Sequence, residues 1–334
     1  MFNVLFDHKY INKKRVFITK SLKHSKILTF LIFISLKFKF PLSENLIFTG
    51  PHKRMNNLLK TFNNEDFSIN KIKFNNTYIV TFNKKTEKIL LNLLKNKENK
   101  ILIGPLYNIK YQKKLVEYTN KYPNVKKIVA SKNARDAALT IFNDLKKENI
   151  YISPSGVVSE KELAKNKNSN NRNESCIVYF KKRPESQLSS VTNLLENKNI
   201  KYKIFRYGEY KNKDLISEAK KCKFGVYLSC AESQGFAVQE ILSCNLPLYV
   251  WDDLEWNSKI LMNHFQTEEK FITGSSVSVW SDKSGEKVEN FNDFENYFDS
   301  FINSLDTFNP SKILEEQLTY KASKNRLLDI FKSI

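Results

Sequence analysis

Short apolar runs alternate with longer amphipathic stretches along most of the 334 residues. This is the pattern of strands and helices taking turns in a parallel sheet. In the first half, Leu46–Phe48, Tyr78–Phe82, Ile101–Ile103, Lys127–Ala130 and Ile150–Ser153 read as strands, with helices at Lys84–Lys97 and Tyr111–Tyr122. Gly50-Pro51 and Gly104-Pro105 each close a strand with a residue free to take positive φ and one that cannot continue a ladder. In open α/β sheets, ligands sit at such carboxyl ends.

Lys165–Asn173 contains no apolar residue and no periodicity, and reads as a linker. After it the alternation restarts, with strands at Cys176–Phe180, Tyr202–Phe205, Phe224–Leu228 and Pro247–Trp251 and helices at Ser186–Leu195, Asp214–Lys221 and Gly235–Cys244. A stretch rich in Ser and Gly, Gly274–Gly285, precedes amphipathic helices at Asp293–Leu305 and Lys312–Phe331. The expected organisation is α/β, in two Rossmann-like domains. The first covers 1–164, with 1–44 a candidate extension; 165–173 is the linker; 174–308 is the second domain; and 309–334 is a C-terminal helix free to cross back to the first.

The formal charge of +20 changes this picture little. A charge of that size usually suggests nucleic acid or an anionic membrane. Here it is carried almost wholly by Lys, and Arg is confined to Arg15, Arg54, Arg135, Arg172, Arg183, Arg206 and Arg326 with no cluster for base reading. No nucleic-acid partner is expected. Cys176, Cys222, Cys230 and Cys244 form no C-x-x-C pair and have no His at metal-ligand spacing, so they read as buried thiols of a reducing, cytoplasmic compartment. The apolar run Ile27–Leu36 is too short to span a bilayer, which takes about 20 residues. It reads either as a buried strand or helix of the first domain or as a basic, apolar patch resting on a membrane surface.

The chemistry concentrates in Phe224–Leu242. An apolar strand enters a polar loop, Ser229-Cys230-Ala231-Glu232-Ser233-Gln234, and Gly235 then opens a helix whose first backbone amides have no intrahelical acceptor. Such a terminus attracts phosphate or another anion, and glycine lets it approach the backbone. Glu240 follows about one and a half turns later, placed to accept hydrogen bonds from a ribose diol, and Glu232 is placed to do the same for a sugar ring. The bland reading of Glu232 is an acid at a helix start. Lys181, Lys182 and Arg183 directly follow the first strand of this domain, where they either face solvent or meet an anion.

This segment resembles the donor site of retaining GT-B glycosyltransferases of the group 1, or family 4, type. Their signature is Glu, seven residues, Glu, followed by a Cys-x-x-Pro strand start, here Glu232 to Glu240 and then Cys244-Asn245-Leu246-Pro247. Ile152-Ser153-Pro154-Ser155-Gly156-Val157 is similar to the P-x-G-V that leads out of their acceptor domain, whereas the glycine-rich loop of the first domain has no counterpart near residue 10. The resemblance implies two Rossmann-like domains facing a cleft, acceptor side first. It also implies transfer of a sugar from a nucleotide-diphosphate sugar to a hydroxyl of a glycan, a lipid or a protein-linked acceptor, with retention and without a catalytic metal or other cofactor. Glu232 would hold the transferred sugar and Glu240 the ribose. Gly235, Phe236 and Ala237 would offer amides, and Lys181, Lys182 and Arg183 would offer charge to the diphosphate. His52 is the candidate for a further contact with the sugar or its phosphate. The alternative is a protein that binds the nucleotide sugar, or regulates through it, and has lost transfer.

Overall fold

The first half supplies β1 (Phe2–Leu5) and β2 (Phe67–Ile69), which no run announced, and β3 (Asn76–Phe82), β4 (Lys100–Tyr107), β5 (Val125–Val129) and β6 (Ile150–Ile152), which the apolar runs predict, although β4 continues through Gly104-Pro105 instead of closing there. They form one parallel sheet in the order β2-β1-β3-β4-β5-β6. Helices α1 (Gly50–Thr61), α2 (Lys84–Leu93), α3 (Gln112–Lys121) and α4 (Lys132–Ile141) accompany it. The second half supplies β7 (Asn173–Lys181), β8 (Lys201–Arg206), β9 (Cys222–Ser229), β10 (Leu248–Trp251) and β11 (Gly285–Val288), again all parallel, in the order β11-β10-β9-β7-β8. Its helices are α5 (Glu160–Lys167), α6 (Glu185–Asn197), α7 (Asn212–Ala219), α8 (Phe236–Ser243), α9 (Phe291–Asn296), α10 (Phe298–Asn303), the single turn α11 (Ser311–Ile313) and α12 (Tyr320–Ser333). The chain is thus an α/β protein built on two parallel sheets, the class its pattern predicts. This computed structural model describes residues 1–5, 38–39, 41, 50–62, 67–107, 111–167, 172–254 and 272–334. The strand expected at Leu46–Phe48 and the apolar run Ile27–Leu36 lie outside them.

Both sheets are covered on both faces, which is why their strands read as apolar runs rather than alternations. In the first, Val4, Tyr78 and Val80 face Met55 and Leu59 of α1 together with Leu327, Ile330 and Phe331 of α12. Their neighbours Leu5 and Ile79 point the other way, onto Leu90 and Leu93 of α2 and Leu115 of α3. In the second, Ile177, Tyr179 and Tyr227 pack on Leu215 of α7 and on Val238, Ile241 and Leu242 of α8. Val178, Val226 and Tyr249 pack on Leu188, Val191 and Leu195 of α6 and on Phe294, Phe298 and Phe301. No helix of the described residues is long and apolar enough to cross a membrane.

The chain divides into two compact units. One holds the described residues of Met1–Ser155 and takes in Ser323–Ile334; the other holds those of Gly156–Ile260 and Glu269–Ala322. The division therefore falls at Ser155, ahead of the polar stretch 165–173 expected as the linker. The start of that stretch completes α5, whose Leu163 is buried in the second unit's core and whose Asn166 donates to the Ser243 carbonyl. A polar run is held here because its neighbours anchor it.

Two helices expected as single pieces are broken. Asp293–Leu305 is split at Tyr297, the C-cap of α9 and N-cap of α10. Lys312–Phe331 is interrupted at Thr319, which takes extended angles (φ −70, ψ 158). The cause is tertiary. Val158 bridges to Thr319, the Val157 amide donates to the Leu318 carbonyl at 2.8 Å, and the Tyr320 amide donates to the Val158 carbonyl at 3.0 Å. Gly156 allows this approach, since a Cβ there would lie 2.8 Å from the Thr319 oxygen.

Candidate functional site

In the second sheet β7 lies between β8 and β9, so the chain leaves β7 to one side for β8 and to the other for β9. The carboxyl ends of β7 and β9 therefore flank a topological switch point, where helices diverge and open a crevice. The loop after β7 carries Lys181, Lys182 and Arg183, and the loop after β9 carries Cys230–Gly235. The Cys230 amide donates to the Lys181 carbonyl at 3.2 Å, which ties the two loops together.

The Glu232 carboxylate sits at their junction. Its Oε1 lies 2.8 Å from Lys181 Nζ, and it accepts hydrogen bonds from Ser229 Oγ at 2.9 Å and Tyr227 OH at 3.3 Å. Both members of the Lys181–Glu232 pair are mostly shielded, with side chains 14% and 13% exposed. A pair in that setting is screened less than a surface pair. Lys181 Nζ also lies 4.6 Å from the centre of the half-exposed Tyr207 ring. Tyr227 and Ser229, which fix the carboxylate, escape the motif because one reads only as part of an apolar strand and the other only as the first residue of a polar loop.

The three cations of the loop after β7 are not equivalent. Lys182 is exposed and adopts φ 54. Arg183 turns inward. Its Nε donates to Gln187 Oε1 at 2.6 Å, its NH1 donates to the Ser229 carbonyl at 3.4 Å and lies 3.8 Å from Asp253 Oδ2, and its guanidinium lies over the Trp251 ring. Burial lowers its pKa, while Asp253 and Asp252 act against that. The Cys230 thiol lies among these charges. Burial pushes it up, and Lys181, Glu232, Lys182 and Asp253 all act on it electrostatically.

Gly235 takes left-handed angles (φ 70, ψ 63) and is the N-cap of α8, with no side-chain cap hydrogen bond. A Cβ at that position would lie 2.9 Å from Val238 Cγ1. The amides of Phe236 and Ala237 belong to the helix's first turn, which has no intrahelical acceptors. Glu240 is buried one turn further along, 7% exposed. Its charge acts on Tyr210, whose pKa is raised by burial first and by Glu240 and Glu232 after it. Tyr210 packs edge-on to Tyr179, and Tyr179 stacks on Tyr227 at 4.8 Å, so three rings lead from the surroundings of Glu240 to those of Glu232.

A third loop, within the Ser- and Gly-rich stretch Gly274–Gly285 to which the sequence assigns no role in the site, braces this one. The Glu232 amide donates to the Ser275 carbonyl at 2.9 Å, and Ser278 Oγ donates to the Gln234 carbonyl at 2.6 Å. Asp252, at the end of β10 and only 4% exposed, holds the brace. Its carboxylate accepts Ser275 Oγ at 3.0 and 2.8 Å, the Ser276 amide at 2.7 Å, Ser276 Oγ at 2.7 Å and the Asp253 amide at 3.0 Å, with Lys287 Nζ at 3.3 Å. An Asp at a strand's carboxyl end was a readable signal; its partners, more than twenty residues on, were not.

The structure thus gathers Lys181, Lys182, Arg183, Glu232, Gly235, Phe236, Ala237 and Glu240 within one unit, around the carboxyl ends of β7 and β9. His52 falls in α1, in the other unit, and its side chain lies outside the described residues. Among the described residues no group of three His, Cys, Asp or Glu is placed to hold a metal ion.

No family model matches the chain, and no curated protein matches it. Among solved structures it is similar to a GtfA/B complex, with a TM-score of 0.49 and 12% identity over 78% of this chain and 58% of that one. The pneumococcal O-GlcNAc transferase GtfA, in complex with UDP and GlcNAc, gives 0.45 and 10% over 77% of this chain and 56% of that one. WaaG, a glycosyltransferase involved in lipopolysaccharide biosynthesis, gives 0.44 and 9% over 88% of this chain and 99% of that one. The chain therefore spans less than two thirds of the first two of these proteins.

Proposed function

We propose that this protein is a glycosyltransferase of GT-B type that binds a nucleotide-diphosphate sugar at the carboxyl ends of β7 and β9 and transfers the sugar to an acceptor hydroxyl. The observation that carries the reading is the shielded Lys181–Glu232 pair beside the uncapped, glycine-started helix that bears Glu240. A diphosphate needs donors and positive charge, and a sugar needs a fixed carboxylate. This constellation supplies both within one turn of helix and two loops.

In this reading the Phe236 and Ala237 amides and the helix N-terminus receive the diphosphate, and Glu240 receives the ribose hydroxyls. Glu232, held by Ser229 and Tyr227, orients the transferred sugar. Lys181 and Lys182 take up the charge that develops on the leaving diphosphate as the sugar bond breaks. Arg183 is committed to Gln187, Ser229 and Asp253 and acts from behind, shaping the loop rather than meeting the ligand. The acceptor's hydroxyl attacks on the face from which the diphosphate leaves, so the anomeric configuration is retained.

The test is a thermal-shift series with UDP-, GDP-, ADP- and CDP-sugars on the wild type and Glu240→Ala at fixed salt, followed by NMR of the product's anomeric proton. A ligand that binds only the folded protein raises the melting temperature with its concentration. One nucleotide class should stabilise the wild type and fail on the variant. Equal stabilisation of both proteins removes Glu240 from the site, and binding without turnover on any acceptor leaves a nucleotide-sugar binding protein.

A further inference from the structure

Glu232 reaches its position through its backbone as well as its side chain, and the backbone is held by Ser275. Ser275 in turn has its hydroxyl on both oxygens of Asp252, within a run closed by the Ser276 amide and hydroxyl on the same carboxylate. This carboxylate has no route to a ligand, because its side chain is 2% exposed and its oxygens are filled by four hydroxyl and amide donors and Lys287. A carboxylate so saturated is a rigid fixture in a medium where hydrogen bonds are strong.

We propose that Asp252 is a positioning residue of the donor site: it locks the 275–278 loop, and that loop sets the backbone of Glu232 and Gln234, so that Asp252 governs how the transferred sugar is held without touching it. The inference rests on the donor-site reading for its ligand and on the geometry alone for its coupling. Its signature is selective. The Phe236 and Ala237 amides and Glu240 belong to α8, whereas the Asp252 brace acts on the loop ahead of it through the Glu232 amide and the Gln234 carbonyl. Loosening the brace therefore weakens recognition of the sugar while recognition of the bare nucleoside diphosphate survives.

Two measurements on Asp252→Asn and Ser275→Ala test this, with Ser275→Ala carrying the test if Asp252→Asn does not fold. The first is calorimetric affinity for UDP-glucose, GDP-mannose and ADP-glucose against UDP, GDP and ADP, also in a Glu232→Gln background. The variants should bind the sugar nucleotide about tenfold more weakly and the bare diphosphate within about twofold, and should cost no more than about twofold once Glu232 is already replaced. Equal losses on both ligands, or losses that multiply in the double variants, overturn the proposal. The second is native-state amide exchange, with faster exchange at Glu232 expected, by about tenfold or more, in the folded variants. Unchanged exchange at Glu232 overturns the coupling whether or not any nucleotide binds. Accelerated exchange with no nucleotide binding to the wild type upholds the coupling and refutes the donor-site reading instead.

Discussion

Both sheets start in an inner strand, step to one side and then run away on the other, and both place a helix directly after the third strand of that order. The helices begin differently. After β3, Asn83 caps α2 from extended angles, its side chain accepting the amides of Lys85 at 2.9 Å and Thr86 at 3.3 Å while Thr86 Oγ1 accepts the Asn83 amide. After β9, Gly235 stands in the left-handed region and caps nothing. The first terminus meets two of its amide donors with the side chain of its own N-cap, and the second has no side chain at the N-cap to do so. The same topology thus yields a structural turn in one unit and a candidate anion site in the other, and the distinction lies in a single residue at each N-cap.

The sharpest way to break this comparison is to close the second terminus. Gly235→Val forces a β-branched residue to φ 70 with a Cβ 2.9 Å from Val238 Cγ1. It should cost about 1–3 kcal/mol of stability and lower nucleotide-sugar affinity about a hundredfold, read by denaturant melts and calorimetry. Retained affinity in a folded variant would detach the ligand from that turn.

Shielded cations extend the comparison, one half-buried and one buried. In the second unit Arg172 donates to the carbonyls of Ala219, Cys222, Cys244 and Asn245, closing the carboxyl ends of α7 and α8. In the first, Lys127 is 1% exposed on β5 over the Phe142 ring, and burial lowers its pKa from 10.5 to about 8. Between those values the unfolded chain holds a proton that the folded one lacks, so stability should rise with pH across that window, by up to about 3 kcal/mol. Lys127→Met should remove the slope, and an unchanged slope would place the titration elsewhere.

A smaller effect separates the loop cations. Lys181→Met takes away the ammonium 2.8 Å from Glu232 and should weaken nucleotide-sugar binding about tenfold, with a shallower salt dependence, as expected of a charge-assisted contact. Lys182→Met, changing an exposed side chain, should weaken it less, and the opposite ranking would exchange their roles. The smallest change lies in the first unit. Asn83→Ala should cost about 1 kcal/mol and leave nucleotide affinity as it is; a loss of affinity there would bring α2 into the site.

The second unit was the more legible in sequence for physical reasons. A strand buried on both faces announces itself as Phe224–Leu228, and a glycine before a helix that carries Glu240 is a local statement about one turn. What stayed hidden depends on partners remote in sequence. β1 and β11 have four residues each, too few for a period. The break at Thr319 has no local signal because Val158 imposes it. The inward turn of Arg183, which separates it from two neighbouring lysines, is decided by Gln187 and by Asp253, seventy residues away. The Asp252 brace is likewise a contact between loops. His52, singled out for its place after Gly50-Pro51, falls near the start of α1 in the first unit.

The ladder between Val157–Val158 and Leu318–Tyr320 has a consequence for engineering. It makes the first and last residues of the second unit neighbours, already joined by main-chain hydrogen bonds. Ends that meet in this way are what insertion into a surface loop of another protein or circular permutation requires, so a piece spanning 156–322 should tolerate either.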